Sequence, residues 1–241
     1  MVISRYGTYA QKLLGIRPSL GSGKNFQVGI SVVKIQDDTS SIKYGVLPKD
    51  NVVIGPDLKL AFDRGRITLT AAGAFSLLTH DISSGALTQE DIEEITGQKV
   101  DLPIQPKDFE EYFIFNDSTI PIDPTKRTSM AYHVKLSLRY MRNVLQIGYK
   151  SIGAQYTSLA NPWMRKDIQG FYFNDRLRLF GNKVYLNFGY EDYIDSFSDY
   201  SHAPLMDLKT FNYGISLYPG NALPSINVSL KNHLRDNGIV D

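Results

Sequence analysis

Apolar and polar residues alternate along most of this 241-residue chain, and this pattern constrains the fold more than any other feature. The clearest run is 132–140, YHVKLSLRY, in which every second residue is apolar. Side chains of a strand point alternately to two faces, so such a run predicts a strand with one apolar and one polar face. The pattern predicts about ten strands in all, over the segments 8–18, 26–32, 54–62, 67–77, 132–140, 143–157, 167–180, 184–190, 210–217 and 225–235.

The connections between these segments alternate between short and long. The short ones are 19–24, 63–65, 141–142, 181–182 and 220–224, and the long ones are 37–50, 81–127, 152–166 and 192–207. In an up-and-down meander this order places every tight turn at one end of the sheet. Transmembrane β-barrels show the same asymmetry, and about 9–11 residues of strand cross a bilayer. The predicted fold class is therefore all-β: an antiparallel up-and-down meander of about ten long strands that forms a transmembrane β-barrel or part of one, with residues 1–241 as a single domain.

The aromatic residues are 15 Tyr and 12 Phe against a single Trp. Many stand near the ends of the predicted strands: Tyr132, Tyr140, Phe171, Phe180, Tyr190, Tyr193 and Tyr218. Barrels in membranes carry aromatic girdles at both interfaces. Tyr and Phe also favour strands in general, so this placement supports the membrane interpretation without requiring it.

Composition and motifs exclude several classes of protein. The chain has no cysteine, which excludes disulfide scaffolds and thiolate sites, and 26 Lys and Arg balance 25 Asp and Glu, which argues against a nucleic-acid partner. It contains no HExxH or GxSxG motif, and Gly21-Ser22-Gly23-Lys24 lacks the full phosphate-loop pattern. We expect no catalytic residue, no metal site and no cofactor, and we predict that the protein is not an enzyme.

Two stretches resemble barrel segments of outer-membrane proteins from Bacteroidota and related bacteria. They are YTSLANPWMRKD at 156–167, followed by Gly170 and Phe171, and DRLRLFGNKVYL at 175–186. The resemblance implies a barrel fold and a location in the bacterial outer membrane, and it carries over no catalytic residue. The start, MVISRY, is not a signal peptide, and the end, NGIVD, lacks the terminal aromatic residue common in such barrels. These departures predict an internal piece of a longer barrel, completed by missing strands or by a partner chain.

The polar sides of the predicted strands hold the candidate functional residues. Seven cations and two anions are the lumen-facing candidates: Lys59, Lys135, Arg139, Lys150, Arg176, Arg178, Lys231, Asp57 and Glu191. Facing a lumen, they make a basic pore that favours anions. The alternative is that they pair with one another and fill a narrow or plugged interior.

The segment 81–127 is the longest connection, and it is predicted to be an extracellular loop insertion. TQEDIEEI at 88–95 predicts a short helix, with Thr88 as its N-cap, acidic residues in the first turn and Gly97 at the end. A loop of this length is usually functional or disordered. The segment either restricts the mouth of a barrel or is a solvated surface loop, and the sequence leaves both possibilities open.

The predicted function is that of a passive, porin-like channel or a membrane anchor in the bacterial outer membrane, with the lipid bilayer as its partner. The rival is a soluble all-β binding or structural module whose apolar faces form a core. The length of the two-faced strands favours the first interpretation, because the sequence offers no second apolar layer for the sheet to pack against.

Overall fold

The computed structural model describes residues 2–3, 10–42, 45–96, 105–120, 128–197, 204–220 and 223–237. Within them lie thirteen strands, one α-helix and three short 3-10 helices. The strands are β1 (Val2–Ile3), β2 (Ala10–Ile16), β3 (Ser19–Leu20), β4 (Phe26–Asp37), β5 (Asp50–Phe62), β6 (Ile67–Thr79), β7 (Thr119–Ile120), β8 (Met130–Tyr140), β9 (Asn143–Ile152), β10 (Ile168–Leu179), β11 (Val184–Asp195), β12 (Met206–Leu217) and β13 (Ile226–Asp236). The helix is α1 (Gln89–Thr96), and the 3-10 helices are Thr39–Ser41, Asp63–Gly65 and Pro106–Phe109.

All of these strands belong to one antiparallel sheet that follows the order of the chain. Its path is β1-β2-β4-β5-β6-β8-β9-β10-β11-β12-β13, while β3 pairs with β4 and β7 pairs with β6. Ten of the described strands have seven residues or more. The predicted all-β, antiparallel, up-and-down architecture is confirmed. In the described part of the chain, no pairing joins β13 to β1 or β2, so the path has two edges.

The tight turns lie at one end of the sheet, which we call the short-turn end. At 63–64 and 141–142 the backbone is left-handed, with φ of 47° and 55° at Asp63 and Arg64 and of 48° and 64° at Met141 and Arg142. Two successive residues with positive φ match the twist of a hairpin and keep the flanking strands paired. At the opposite end, the long-loop end, longer connections join β4 to β5, β6 to β8, β9 to β10 and β11 to β12.

Cross-strand register divides the sheet into two faces, because residues directly opposite one another share a side. Val134 lies opposite Ala71 and Tyr149, whereas its neighbour Lys135 lies opposite Thr70 and Gly148. We call the side of Val134 the apolar face and the side of Lys135 the polar face. The alternation predicted from sequence thus runs continuously from strand to strand.

Burial is concentrated at the long-loop end rather than across the sheet. The most deeply buried side chains include Ile35, Asp50, Asn51, Ser76 and Thr79, each exposed by 2% or less. A hydrophobic cluster there joins Ile168, Tyr193 and Leu208, which lie on the polar side of their strands. The strict alternation does not predict this cluster, because it assigns apolar residues to the other face.

The apolar face itself is bare over most of its area. Leu14 is 70% exposed near one edge, Phe171 is 62% exposed in the middle, and Leu230 is 65% exposed on the other edge strand. In an ordinary globular fold a second layer covers such a surface. This sheet therefore gains its burial from loops at one end and leaves its largest apolar surface to its surroundings.

The helix predicted over 88–95 is present as α1. Thr88 and Asp91 cap it reciprocally: the Asp91 amide donates to Thr88 Oγ1 at 3.3 Å, and the Thr88 amide donates to Asp91 Oδ2 at 2.7 Å. The Thr88 hydroxyl, which donates to Asp91 Oδ2 at 2.6 Å, and then the Thr88 amide hold the pKa of the Asp91 carboxyl below its usual value. The predicted helix end at Gly97, and the parts 97–104 and 121–127 of the long segment, lie outside the described residues.

The polar face as a candidate functional site

The structure places all nine predicted lumen residues on the polar face. Cross-strand pairs give their positions: Lys59 lies opposite Thr70, which lies opposite Lys135, and Lys135 lies opposite Gly148. Asp57, Arg139, Lys150, Arg176, Arg178, Glu191 and Lys231 stand on the same side by the same register. They are spread over β5, β8, β9, β10, β11 and β13, so they form a charged face rather than a single cluster.

Several of these charges have partners within the face. Arg17 Nη2 lies 2.8 Å from Asp57 Oδ1, so one of the two anions is neutralised by a cation outside the predicted set. Arg176 Nε donates to Asn187 Oδ1 at 3.0 Å. Cations therefore remain in excess on the polar face, and its electrostatic sign is positive.

Two tyrosines lie against glycines on this face, toward the long-loop end. A Cβ at Gly148 would overlap the Tyr172 ring, so only glycine leaves room for Tyr172 to cross β9. Tyr172 Oη then reaches His133 Nε2 on β8 at 2.6 Å. This arrangement fixes both side chains across three strands.

Tyr193 repeats the arrangement one strand further on. Its ring lies against Gly170, and Lys150 Nζ lies 4.2 Å from the ring centroid, within the range of a cation–π interaction. Tyr193 is only 7% exposed. Its predicted place in an aromatic girdle is wrong, because residue 193 falls on the polar side of β11, next to residues that the hydrophobic cluster buries.

A loop at the long-loop end crosses the polar face. This crossing loop (residues 153–167) leaves β9 and reaches β6 and β5, two and three strands away. Asn51 Nδ2 donates to the Thr157 carbonyl at 3.1 Å, Asn51 Oδ1 accepts from the Leu159 amide at 3.0 Å, and Ser76 Oγ donates to the Thr157 carbonyl at 2.5 Å. Asn51 and Ser76 are 1% and 2% exposed, so the loop is fixed by buried hydrogen bonds rather than resting on the surface.

Sequence reasoning did not find this loop or its anchors. Asn51 and Ser76 stand at polar-face positions of an ordinary alternating pattern, so neither breaks the period. They bond to a residue 106 and 81 positions away in the chain. A local pattern carries no signal about such a distant contact.

The described part of the long segment lies on the other side of the sheet. The Ile114 amide donates to Asp50 Oδ2 at 3.1 Å, and Thr79 Oγ1 donates to the Ile114 carbonyl at 2.6 Å. Asp50 and Thr79 face each other on the apolar side, beyond the bare apolar area. Residues 105–120 therefore cover the rim of the apolar face, and the crossing loop is the segment that covers the polar one.

Three bases meet where the crossing loop covers the polar face. Lys166 Nζ donates to Thr157 Oγ1 at 2.6 Å, and burial together with the charge of Lys49 lowers the pKa of Lys166. Burial, with the charges of Lys49 and Lys166, also lowers the pKa of His80. Positive charge is thus present at this end of the polar face as well as along the strands.

Known proteins give no guide to this face. A scan of family models, a search of curated proteins and a search of solved structures each found no match to the chain. Within the described residues no helix is long and apolar enough to span a membrane, and no group of three or more His, Cys, Asp or Glu side chains is placed to hold a metal ion. The case for a function therefore rests on the two faces of the sheet.

Proposed function

We propose that this chain is an outer-membrane β-barrel protein, or a piece of one, whose apolar face contacts lipid and whose polar face lines an aqueous interior. The exposure of apolar side chains on this face from β2 to β13 carries the proposal. Ten long strands at about 4.8 Å spacing give a width of about 45 Å. Nine residues of β8 (132–140) span about 30 Å of strand, or about 20 Å of height at a 45° tilt.

The size of this surface argues against exposure to water. Its area is on the order of 1,000 Å², whereas the largest apolar patch of a soluble monomer is about 300–600 Å². Its height is close to the roughly 25 Å apolar band of transmembrane barrels. A bilayer covers such a band on every strand at once, which no described segment of this chain does.

Aromatic side chains on the apolar face support the same orientation. Toward the long-loop end, ring centroids lie 5.9 Å apart for Tyr132 and Tyr149 and 4.7 Å apart for Tyr149 and Phe171. Toward the short-turn end, Phe62 and Tyr140 are 55% and 40% exposed. Rows at both borders of an apolar band match the interfacial girdles of membrane barrels.

Both edges of the sheet need partners in this setting, since unpaired backbone groups are costly in lipid. At one edge the two-residue β1 pairs with Gln11 and Ala10, so residues 12–16 of β2 form the rest of that edge. They run toward the short-turn end and are therefore antiparallel to β13, the other edge. An antiparallel pair therefore closes the sheet, either between β13 and β2 or through strands supplied by further chain or by a partner chain. We infer closure of one of these kinds.

If the aqueous interior is a channel, the positive charge of the polar face favours the passage of anions. The crossing loop narrows this channel at the long-loop end. Membrane anchoring is the other outcome of the same architecture, and it requires no open path. The number and spread of the cations support passage of small anions.

One observation favours the rival, a soluble all-β module with its apolar face covered by protein. Asp175 lies on the apolar face opposite Leu145 and Phe188, and its Oδ1 is buried without a hydrogen-bond partner in the described residues. A carboxylate is disfavoured against lipid, whereas a protein partner could supply a donor.

Single cysteines test the orientation cleanly because the chain contains none. Val134→Cys and Lys135→Cys, each labelled with an environment-sensitive fluorophore, place the probe on opposite faces of one strand. In vesicles of brominated lipid, we expect quenching at 134 and little at 135. Equal quenching at both positions, or a protein that stays monomeric in buffer without detergent, overturns the membrane proposal.

Planar-bilayer recording tests transport. We expect conductance with an anion preference, and Asn51→Ala with Ser76→Ala should increase the conductance because the crossing loop loses its anchors. Thr70→Ala is the control, since Thr70 lies on the same face outside the anchor. Correctly inserted protein without conductance overturns the channel and leaves the anchor.

A further inference from the structure

A basic cavity of about 420 Å³ opens at the short-turn end of the sheet. Four cations line it: Lys24 from the turn after β3, Lys59 from β5, Arg64 from the turn after β5, and Arg139 from β8. Thr68 adds a hydroxyl, and no residue of the lining carries a carboxylate. The cavity therefore gathers positive charge from four separate places in the chain.

Backbone contacts fix the walls of this cavity. Lys59 Nζ donates to the Gly23 carbonyl at 2.9 Å, and the Ala61 amide donates to the Asn25 carbonyl at 2.7 Å, so the turn at 21–25 is held against β5. Arg64 stands in a left-handed conformation, with φ of 55°. Non-glycine residues in this region are uncommon and are held there by their surroundings.

None of the four cavity cations forms an ion pair within the described residues. The ion pairs among the described residues join Arg17 to Asp57, Lys34 to Asp50, Arg66 to Asp63 and Arg165 to Asp195, and none of these pairs includes a cavity cation. Like charges gathered at one place repel one another. A bound anion relieves this repulsion, so the empty cavity is the less favourable electrostatic state.

We propose that this cavity binds the phosphate group of a small water-soluble anion. Arginine presents a planar fork of donors that matches phosphate oxygens, and lysine supplies a point charge. Arg64 and Arg139 provide the forks, Lys24 provides the movable charge, and Lys59 is already oriented by Gly23. A volume of this size accommodates a phosphate with a small organic group attached.

A free solute fits this cavity better than a lipid headgroup. Lys59, Arg139 and Thr68 belong to the polar face, on the opposite side of the sheet from the surface that we assign to lipid. A phospholipid headgroup lies on the side of its acyl chains. Phosphate binding in this cavity goes beyond the proposed function, because it can be measured whether or not the protein conducts ions across a bilayer.

Calorimetric titration of the full folded chain with inorganic phosphate tests the site, in about 0.15 M sodium chloride, where the screening length is about 8 Å. We expect saturable binding to the unaltered protein. Lys24→Gln and Arg64→Gln should each weaken it by about tenfold, since each removes a direct charge. Both are exposed turn residues, and circular dichroism of each variant shows whether the sheet is retained.

Arg142→Gln and Lys183→Gln are the matched controls, because both residues lie at the short-turn end but outside the cavity. We expect each to change the affinity by less than about twofold, as for a distant screened charge. An equal loss in the controls overturns a defined site and indicates a diffuse charge effect. Absence of phosphate binding by the folded unaltered protein overturns the proposal outright.

A second titration distinguishes the source of the phosphate. Short-chain phosphatidic acid, kept below its micelle concentration, is compared with inorganic phosphate and with glycerol phosphate. We expect inorganic phosphate and glycerol phosphate, neither of which has an acyl chain, both to bind. Binding of the lipid alone overturns the free-solute proposal, and none of these outcomes depends on bilayer conductance.

Discussion

The two faces of this sheet use aromatic residues in opposite ways. On the apolar face, aromatic rings contact one another and remain exposed, as Phe188 and Tyr213 do with centroids 5.1 Å apart. On the polar face, Tyr172 and Tyr193 lie over glycines and reach His133 and Lys150. One face therefore leaves its aromatic rings exposed, and the other pairs its tyrosines with polar side chains.

The strongest test of this difference places the same charge on each face of β9. Ile147 lies on the apolar face and is 43% exposed, and Gln146 is its neighbour on the polar face. We expect Ile147→Arg to lower the free energy of unfolding in lipid vesicles by about 2–4 kcal/mol, the cost of a cation in the apolar band. Gln146→Arg should change it by less than about 1 kcal/mol. Denaturant titration of both variants measures the values, and equal losses contradict the assignment of the faces.

A second test removes the space that Tyr172 occupies. Gly148→Ala places a methyl group where the Tyr172 ring lies, so either the Tyr172 side chain or strand β9 must move. We expect a loss of about 1–3 kcal/mol, as for overpacking.

The matched control is Gly15→Ala on β2, where a Cβ meets nothing within 4 Å. It should change the stability by less than about 0.5 kcal/mol. A proton resonance of His133 that is unchanged in the Gly148 variant would show that Tyr172 does not depend on the glycine.

The smallest expected effect has the opposite sign. Asp175 is a carboxylate on the apolar face, opposite Phe188, and Asn174 is its neighbour on the polar face. Asp175→Leu should stabilise the protein in lipid by about 1 kcal/mol, because acidic residues cost less there than basic ones but still cost something. Asn174→Leu should give no such gain. A destabilised Asp175 variant would instead indicate that another molecule binds this carboxylate and covers the face.

The strands were largely predictable from sequence because their signal is local. Run 132–140 corresponds to β8, and the turns at 63–65 and 141–142 are tight hairpins as predicted. A short hairpin sets the register of its two strands, and register with alternation sets the faces. This is why the nine predicted polar residues share one side.

Other features were not predictable, and they share a physical reason. Tyr193 stands near a strand end like Tyr190, but it is an odd number of residues away and therefore lies on the opposite face. There Leu208 and Ile168 bury it in the hydrophobic cluster. The crossing loop depends on Asn51 and Ser76, which contact it from distant parts of the chain. The basic cavity likewise needs four separate segments to converge.

The sequence by itself determined the approximate positions of the ten longer strands, their antiparallel order and the chemical character of each face, because period-two alternation and turn length act over a few residues. It did not predict the short strands β1, β3 and β7, and it extended the strand that begins at 143 to residue 157, whereas β9 ends at Ile152. Only the tertiary structure decided which loop covers the polar face, that residues 105–120 cover the apolar rim, and that Lys24, Lys59, Arg64 and Arg139 surround one cavity. These arrangements depend on contacts between segments far apart in the chain. Such contacts form only when the sheet brings its strands side by side.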